Sequence, residues 1–485
     1  MRAFVPVLHL LGRVITLFSF SMLVPLGFAL GTQDPGVRAY SDSFFITLLC
    51  GAAIFVATRG HERELRARDG FLLVSLTWTI VPAFATLPFL LHLPRMSFAA
   101  AYFEAVSGLT TTGATVLSGL DSLPVSINAW RCFLVWIGGL GILVLAIAIL
   151  PLLAVGGSQI YRAETPGPMK DTKLTPRITE TARGLYGMYV GISAVCFLAM
   201  RAAGMSWFDA FCHMCSIMGL GGFSTHDRSF AYFNSPLIEF VTVVFMCIAA
   251  LNFATHFLVW RRRSLRCYIR DPQTGWFFGI LFAAILLIAF YLDMRGTYPD
   301  FRTAFRYALF NTVSLATTAG FSNTDYNQWP VFAPVFMLLL CCFLSCSGST
   351  GGGIKLIRLL LLLKQAKREM LRIVHPKTVN LIRLGGEVVE NRVIFSVLAF
   401  MMVYGATVIV CTMVLLFSGL DVVTAFSATI ACINNTGPGL NRVGPAATYG
   451  GLTDFQTFTC VVAMLLGRLE LFSLLVLFTP GFWRR

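Results

Sequence analysis

The sequence predicts an all-α polytopic membrane protein: four helix–pore loop–helix repeats in a pseudo-fourfold arrangement, preceded by two extra N-terminal transmembrane helices. Three observations lead there. Only 12% of the 485 residues are charged and 56% are hydrophobic, whereas a soluble domain carries about twice that charged share. Many apolar runs reach the roughly 20 residues that a helix needs to cross a bilayer. Between them lie four shorter, half-apolar stretches that align with one another without gaps.

The apolar runs fall at about 6–30, 43–58, 71–93, 128–155, 185–203, 236–260, 274–293, 331–363, 393–418 and 454–480. The first, from Phe4 to Leu30, is longer than the ~7–15-residue core of a signal peptide and reads as a retained transmembrane helix. It opens a two-helix extension, 1–69. The repeats then occupy 70–160, 161–270, 271–385 and 386–485. The short stretches lie near 98–111, 207–220, 303–318 and 421–435. Each is too short to span and is followed by Gly, Thr or Asn. That is the pattern of a re-entrant half helix leading into backbone that lines a water-filled path.

Charge orients the chain. The stretches 59–69, 156–183, 261–270 and 364–392 hold 21 of the 37 Lys and Arg residues. By the positive-inside rule these loops are cytoplasmic, and an even helix count puts both termini there too. The four re-entrant stretches therefore enter from outside. The same rule accounts for the net charge of +14, so the basic balance carries no nucleic-acid reading. The 13 Cys lie mostly in apolar runs and form no disulfide-like framework.

The four re-entrant stretches read AYFEAVSGLTTTGAT from Ala101, AFCHMCSIMGLGGFS from Ala210, ALFNTVSLATTAGFS from Ala308 and AFSATIACINNTGPG from Ala425. Each places Gly twelve positions after the Ala: Gly113, Gly222, Gly320 and Gly437. A lone TTTG or GGF carries little weight. Four in one register, each flanked by spanning helices, point to an ion path. A dehydrated cation needs inward-facing oxygens in place of its water, and backbone carbonyls supply them without full charges, so the ion can leave again. Glycine permits the positive φ that turns consecutive carbonyls to one side. The half helix before each loop aims its C-terminal dipole at the path, which favours a cation.

These loops resemble those of the Trk/Ktr/HKT superfamily of potassium transporters, and the resemblance covers essentially the whole chain. The two extra helices and the length match the bacterial Trk-type pore subunit best. The resemblance implies potassium uptake across the bacterial cytoplasmic (inner) membrane, with K+ the transported ion and no covalent cofactor. It implies filter contacts from the carbonyls of Thr111, Thr112 and Gly113, of Leu220, Gly221 and Gly222, of Thr318, Ala319 and Gly320, and of Asn435, Thr436 and Gly437. In plant relatives a Ser at the first-loop glycine accompanies sodium selectivity, and here Gly113 stands. The four loops are unequal in sequence, which predicts looser selectivity, with rubidium and some sodium passing. The family also implies a homodimer and a separate cytoplasmic ring of nucleotide-binding regulatory subunits. Composition and spacing show neither partner, and the lipid bilayer is the only one they imply. The basic stretch 364–392 is where such a ring would dock.

The run 331–363 is too long for one span and is broken by SCSGSTGGGIK, within 345–355. Gly348, Ser349, Thr350, Gly351, Gly352 and Gly353 cannot hold a firm helix, since glycine costs about 1 kcal/mol each. Irregular backbone at membrane depth is tolerated where it lines a cavity. After the third filter loop it is expected beneath the filter, where the family places a movable gate. A helix-packing glycine cluster is the plain alternative. A phosphate-loop reading fails because Lys355 is one place out of register and no Ser or Thr follows it.

Arg468 lies near the middle of the last run. An intramembrane Arg usually faces a cavity or a partner. The family uses an Arg here as an electrostatic barrier to cation flow. The alternative is a structural ion pair, with Glu470 poorly placed because i and i+2 do not share a face. Asp121, Asp227 and Asp325 follow filter loops and read equally as a cation-gathering mouth or as solvated loop residues. Glu104 is expected to bond backbone amides behind the filter. Cys212, His213 and Cys215 superficially resemble a metal cluster, with packing the better reading. Asn252 and His256 are expected to make interhelical hydrogen bonds.

Three functions compete. Gated potassium uptake driven by the membrane potential leads. A proton- or sodium-coupled symporter needs a protonatable group on the path, and no clear Asp or Glu sits there. A membrane-embedded enzyme needs a converging catalytic set, and only Cys212, His213 and Cys215 approach one.

Overall fold

The computed structural model describes residues 4–60, 66–144, 174–378 and 380–484. Most of the basic stretch 156–183, part of 59–69 and the end of the run 128–155 lie outside these residues. Helices dominate. Spans α1 (Val5–Thr32), α2 (Val37–Ala57) and α3 (Arg68–His92) precede the first pore helix, α4 (Phe98–Leu109), and its outgoing helix, α5 (Val125–Val144). The second unit is α6 (Leu174–Ala202), pore helix α7 (Trp207–Gly219) and the outgoing pair α8 (Pro236–Ala250) and α9 (Phe253–Arg262). A short α10 (Arg266–Arg270) leads to α11 (Pro272–Met294), pore helix α12 (Phe301–Ala316), α13 (Phe332–Phe343) and α14 (Leu356–Val374). A two-stranded hairpin, Arg383–Leu384 with Glu387–Val388, precedes α15 (Asn391–Phe417), pore helix α16 (Val422–Ile433), α17 (Asp454–Arg468) and α18 (Phe472–Leu475).

Among the described residues seven helices are long and apolar enough to cross a membrane, or up to nine if each of two bent pairs is one span. The ten apolar runs map onto these spans with three departures. The run 331–363 breaks between α13 and α14, as its glycines predict. The runs 236–260 and 454–480, read as single spans, break as well. Helix α8 meets α9 at 94°, and α17 turns 105° into Phe472–Phe478. No glycine cluster marks either bend. At the first, Leu251 and Asn252 are extended, the Asn252 side chain caps α9 through the Ala254 N–H, and Cys346 N, in the break between α13 and α14, donates to Ala250 O. At the second, Glu470 and Leu471 both have positive φ, 52° and 57°. That costs about 1–2 kcal/mol per residue. An ion pair from Glu470 to Arg358 and the burial of Leu471 hold the turn.

The four pore helices start alike. Ser97, Ser206, Asp300 and Asp421 each accept the N–H three residues on, a cap contributing about 1 kcal/mol. Their faces are nearly all buried, while the surrounding spans expose apolar side chains such as Leu49, Phe282, Phe290 and Ile409. In a soluble protein such a surface would aggregate. Around a membrane bundle it meets lipid tails.

Candidate ion pathway

The pore helices also end alike. In the first loop Thr111 N donates to Gly108 O at 2.9 Å and Thr112 N to Ser107 O at 2.8 Å. The same two bonds close the others: Leu220 to Ile217 and Gly221 to Ser216, Thr318 to Leu315 and Ala319 to Ser314, Asn435 to Cys432 and Thr436 to Ala431. This is the Schellman closure, which requires a left-handed residue just past the helix. Thr111, Leu220, Thr318 and Asn435 are that residue, at φ 52–63°. Two positions later come Gly113, Gly222, Gly320 and Gly437, at φ 79°, 59°, 80° and 95°. The residue between them is not left-handed in any loop. A residue of positive φ therefore stands on each side of the middle residue in every loop.

The glycines contact the neighbouring loops in cyclic order. A Cβ on Gly113 would lie 2.0 Å from Gly221 O, one on Gly222 2.4 Å from Ala319 O, one on Gly320 2.0 Å from Thr436 O, and one on Gly437 2.7 Å from Thr112 O. Each partner oxygen belongs to the residue just before the next loop's glycine. The four loops thus meet in a closed ring, first to second to third to fourth to first. A methyl group has no room at any of the four seats.

Two of the twelve implied filter carbonyls are engaged by protein donors. Gly221 O accepts from Phe223 N at 2.8 Å, and Gly437 O accepts from the Tyr449 hydroxyl at 2.9 Å. The other ten receive no hydrogen bond from the described residues. An engaged carbonyl keeps its second lone pair.

A buried scaffold holds the loops from behind. Glu104 pairs with Arg131 at 2.6 Å and accepts from Val116 N and the Thr115 hydroxyl, so it binds backbone as expected and an arginine as well. Arg131 reaches on to Ser224 O at 3.2 Å and lies over the Phe223 ring, which joins loops one and two. Sequence reasoning passed over Arg131, although it is an intramembrane arginine in the run 128–155, the same signal that singled out Arg468. His213 holds the register position of Glu104. It bonds Asp209 O and the Ser224 hydroxyl, and the described residues form no cluster of three metal-ligating side chains. Asn311, in that same register, bonds Asn323 at 2.6 Å. Across the ring, Asn435 Nδ2 donates to Thr112 Oγ1 and Met464 O.

The glycine-rich loop lies against this ring. Thr350 donates to Met218 O, one turn before loop two, and Gly352 N donates to Thr318 Oγ1 in loop three. A Cβ on Gly352 would lie 2.0 Å from Asn434 O beside loop four. Gly348 O accepts from Phe253 N at the α8–α9 bend, and Ser349 bonds Cys346 O and the Ser345 hydroxyl. Gly353 is left-handed, and the Lys355 ammonium folds back onto Gly351 O. Arg468, the last residue of α17, donates from Nη1 to Thr350 O at 3.0 Å. Its Nε and Nη2 are buried without hydrogen-bond partners among the described residues. Glu470 pairs with Arg358 and not with Arg468, so the structural ion-pair alternative does not describe this arginine.

At the outer end the acidic residues serve local bonds. Asp121 contacts His226 at 2.5 Å, Asp227 accepts from Leu120 N, and Asp325 caps a short turn through Asn327 N. Asn252 caps α9, and His256 joins the Tyr268 hydroxyl to Ile248 O, bridging α10 and α8.

Residues 38–484 match the TrkH family, described as cation transport proteins. The chain is 45% identical over 481 residues to the Trk system potassium uptake protein TrkH of Vibrio parahaemolyticus, covering 99% of each. It is 43% identical over 477 residues to the protein of that name in Escherichia coli, covering 98% of each. The crystal structure of the potassium transporter TrkH from Vibrio parahaemolyticus superposes with a TM-score of 0.92 at 42% identity, covering 99% of this chain and 100% of that one. A multi-pass helical bundle in which four capped short helices close one ring, matched along nearly the whole chain, makes this protein a member of the TrkH family of cation transport proteins, a Trk-type uptake subunit and not an enzyme.

Proposed function

We propose that this chain carries potassium into the cell through the ring of four loops, with the glycine-rich loop and Arg468 as its gate. The observation that carries the reading is the cyclic seating of Gly113, Gly222, Gly320 and Gly437 on the carbonyl of the next loop. Such a ring brings carbonyl oxygens from four chain segments around one axis, and carbonyl cages replace the hydration shell of an alkali cation. The names of the relatives, potassium uptake proteins of the Trk system, support potassium as the ion. The division into units at 70–160, 161–270, 271–385 and 386–485 after the extension 1–69 belongs to this reading. So do the inner-membrane location, cytoplasmic termini, a homodimer and a cytoplasmic nucleotide-binding regulatory ring.

The gate follows from position and charge. Hydrogen bonds to Met218 O, to Thr318 Oγ1 and from Arg468 hold the glycine-rich loop in place, with Gly352 packed against Asn434 O. A buried guanidinium with two unpartnered nitrogens repels a cation leaving the filter. The coupled-symport alternative needs a free carboxylate on the path, and Glu104, the buried carboxylate behind loop one, is already neutralised by Arg131.

The test is growth rescue of a potassium-uptake-deficient bacterium at low potassium, with Gly113→Ser and Gly437→Ser beside the parent. Rescue by the parent and loss of potassium preference in the variants, at equal membrane abundance, are expected. Variants that rescue as well as the parent under sodium challenge would sink the filter assignment.

A further inference from the structure

Helix α8 has 15 residues, about 22 Å at 1.5 Å per residue, which falls short of the ~30 Å hydrocarbon layer. By the positive-inside reading it starts on the outer side, which puts its end at Ala250 in the inner half of the bilayer. The 94° bend then sends α9 across the membrane and not through it. One side of α9 is anchored by the buried Phe253, Thr255 and His256. The far end is open. Trp260 is 69% exposed, Leu265 72% and Ile269 84%. Among them stand Arg261, Arg262, Arg263, Arg266 and Arg270, all exposed.

None of these five arginines makes an ion pair with a carboxylate among the described residues. The segment 251–270 contains no Asp or Glu. The next acid, Asp271, is spent on capping α11, accepting from Gln273 N and the Thr274 hydroxyl. At the elbow Arg263 is left-handed and ends α9. There a pocket of about 590 Å³ is lined by Val259, Trp260, Arg261, Arg263, Ser264 and Leu265. It combines unpaired guanidiniums, a hydroxyl and a wall of apolar side chains.

We propose that this elbow binds an anionic phospholipid of the cytoplasmic leaflet. The arginine forks match phosphate oxygens, and Trp260, Leu265 and Ile269 lie against the glycerol and acyl chains. A tryptophan at this depth is where the aromatic ring meets the headgroup layer. Positive-inside topology alone explains basic residues in the loop. It does not explain exposed Trp, Leu and Ile interleaved with them, nor a pocket they share. A soluble acidic partner would meet the arginines but leave those apolar side chains in water. The site also bears on the gate, because the first amide of α9, Phe253 N, holds Gly348 O.

The experiment is native mass spectrometry of the purified full-length protein in detergent, with phosphatidylglycerol or phosphatidylcholine added. Preferential retention of phosphatidylglycerol is expected, and Arg261→Gln with Arg263→Gln should weaken it about thirtyfold, since each surface arginine contributes about 1 kcal/mol of attraction. Neutralising Lys364, Lys367 and Arg372 instead should leave retention at the parental level. A charge-keeping pair, Arg261→Lys with Arg263→Lys, should fall in between and guards against misfolding of the Gln pair. Equal retention of both lipids overturns the proposal, as does parental retention by the Gln pair. Complete displacement by millimolar inorganic phosphate would show a free-phosphate site, and retention unchanged by Trp260→Ser would show that the acyl wall plays no part. Either result overturns the lipid assignment.

Discussion

Arg468 and Thr350 lie 118 residues apart and meet through one hydrogen bond, from the Nη1 of the arginine to the carbonyl oxygen of the threonine at 3.0 Å. The bond ties the end of α17 to the loop between α13 and α14. Removing the guanidinium takes away both the tether and the buried charge. A hydrogen bond to a charged group contributes about 1.5–3 kcal/mol, so Arg468→Ala should raise passive rubidium flux into proteoliposomes about tenfold or more. Flux equal to the parent would count against both roles.

The seats of the four glycines differ in tightness, which orders their substitutions. Gly113→Ala and Gly320→Ala bring a methyl group within 2.0 Å of the next carbonyl, Gly222→Ala within 2.4 Å and Gly437→Ala within 2.7 Å. Potassium uptake should fall most for the first two and least for the last. Gly405→Ala, a helical position with open space around it, is the neutral control. Rubidium uptake by cells expressing each variant to equal level reads the order, and an inverted order would refute the ring as the cause.

Glu104 and Arg131 are both fully buried and carry the backs of loops one and two. Breaking one partner of a buried pair typically costs about 3–5 kcal/mol, because the other charge is left stranded. Arg131→Met should lower the thermal unfolding midpoint in detergent by several degrees and abolish uptake. The double variant Glu104→Gln with Arg131→Met should recover part of the stability. A double variant no more stable than Arg131→Met would mean that the charge pair is not what holds the loops.

His226 bridges the outer ends of the first two units. Its Nδ1 meets Asp121 at 2.5 Å, its Nε2 lies 3.3 Å from Asp209, and Tyr232 stacks on its ring at 3.5 Å. Burial alone would lower the imidazole pKa, but the close Asp209 carboxylate, the hydrogen bond to Asp121 and both negative charges raise it above the ordinary 6.5. Burial pushes the Asp121 carboxyl up, and the bond from His226, the Asp227 amide and the imidazolium charge together outweigh that and hold it below 3.8. The imidazolium contribution is therefore fully present below pH 6.5 and is lost as pH rises through the raised value. The Asp121 contribution is present above pH 3.8 and is lost as pH falls through the lowered one. Thermal stability should decline as pH rises above 6.5, and His226→Gln should flatten that decline. A parent and variant with parallel pH profiles would exclude the bridge.

The pore units were legible because their signals are local. Apolar length marks the spans, the aligned glycines mark positions that need a positive φ, and SGSTGGG marks backbone that cannot stay helical. The half-apolar stretches became pore helices within a few residues of the expected bounds. Arg131 was equally visible as an arginine inside an apolar run, but its meaning depends on Glu104 being opposite, and nothing local says so.

By itself, then, the sequence determined a multi-pass helical membrane bundle, the four aligned glycines, the helix break within 345–355 and the presence of an arginine near that break. Tertiary structure decided which oxygen each glycine meets, that Gly437 O is shared with Tyr449, and that α8 and α17 bend at LNF and LEL, segments that hold no glycine. The physical reason is range. A chain's helical and turn preferences are set within four or five residues. The ring, the Arg468–Thr350 bond and both bends are set by groups about 90 residues or more away in sequence, whose partners exist only once the loops have closed on one another.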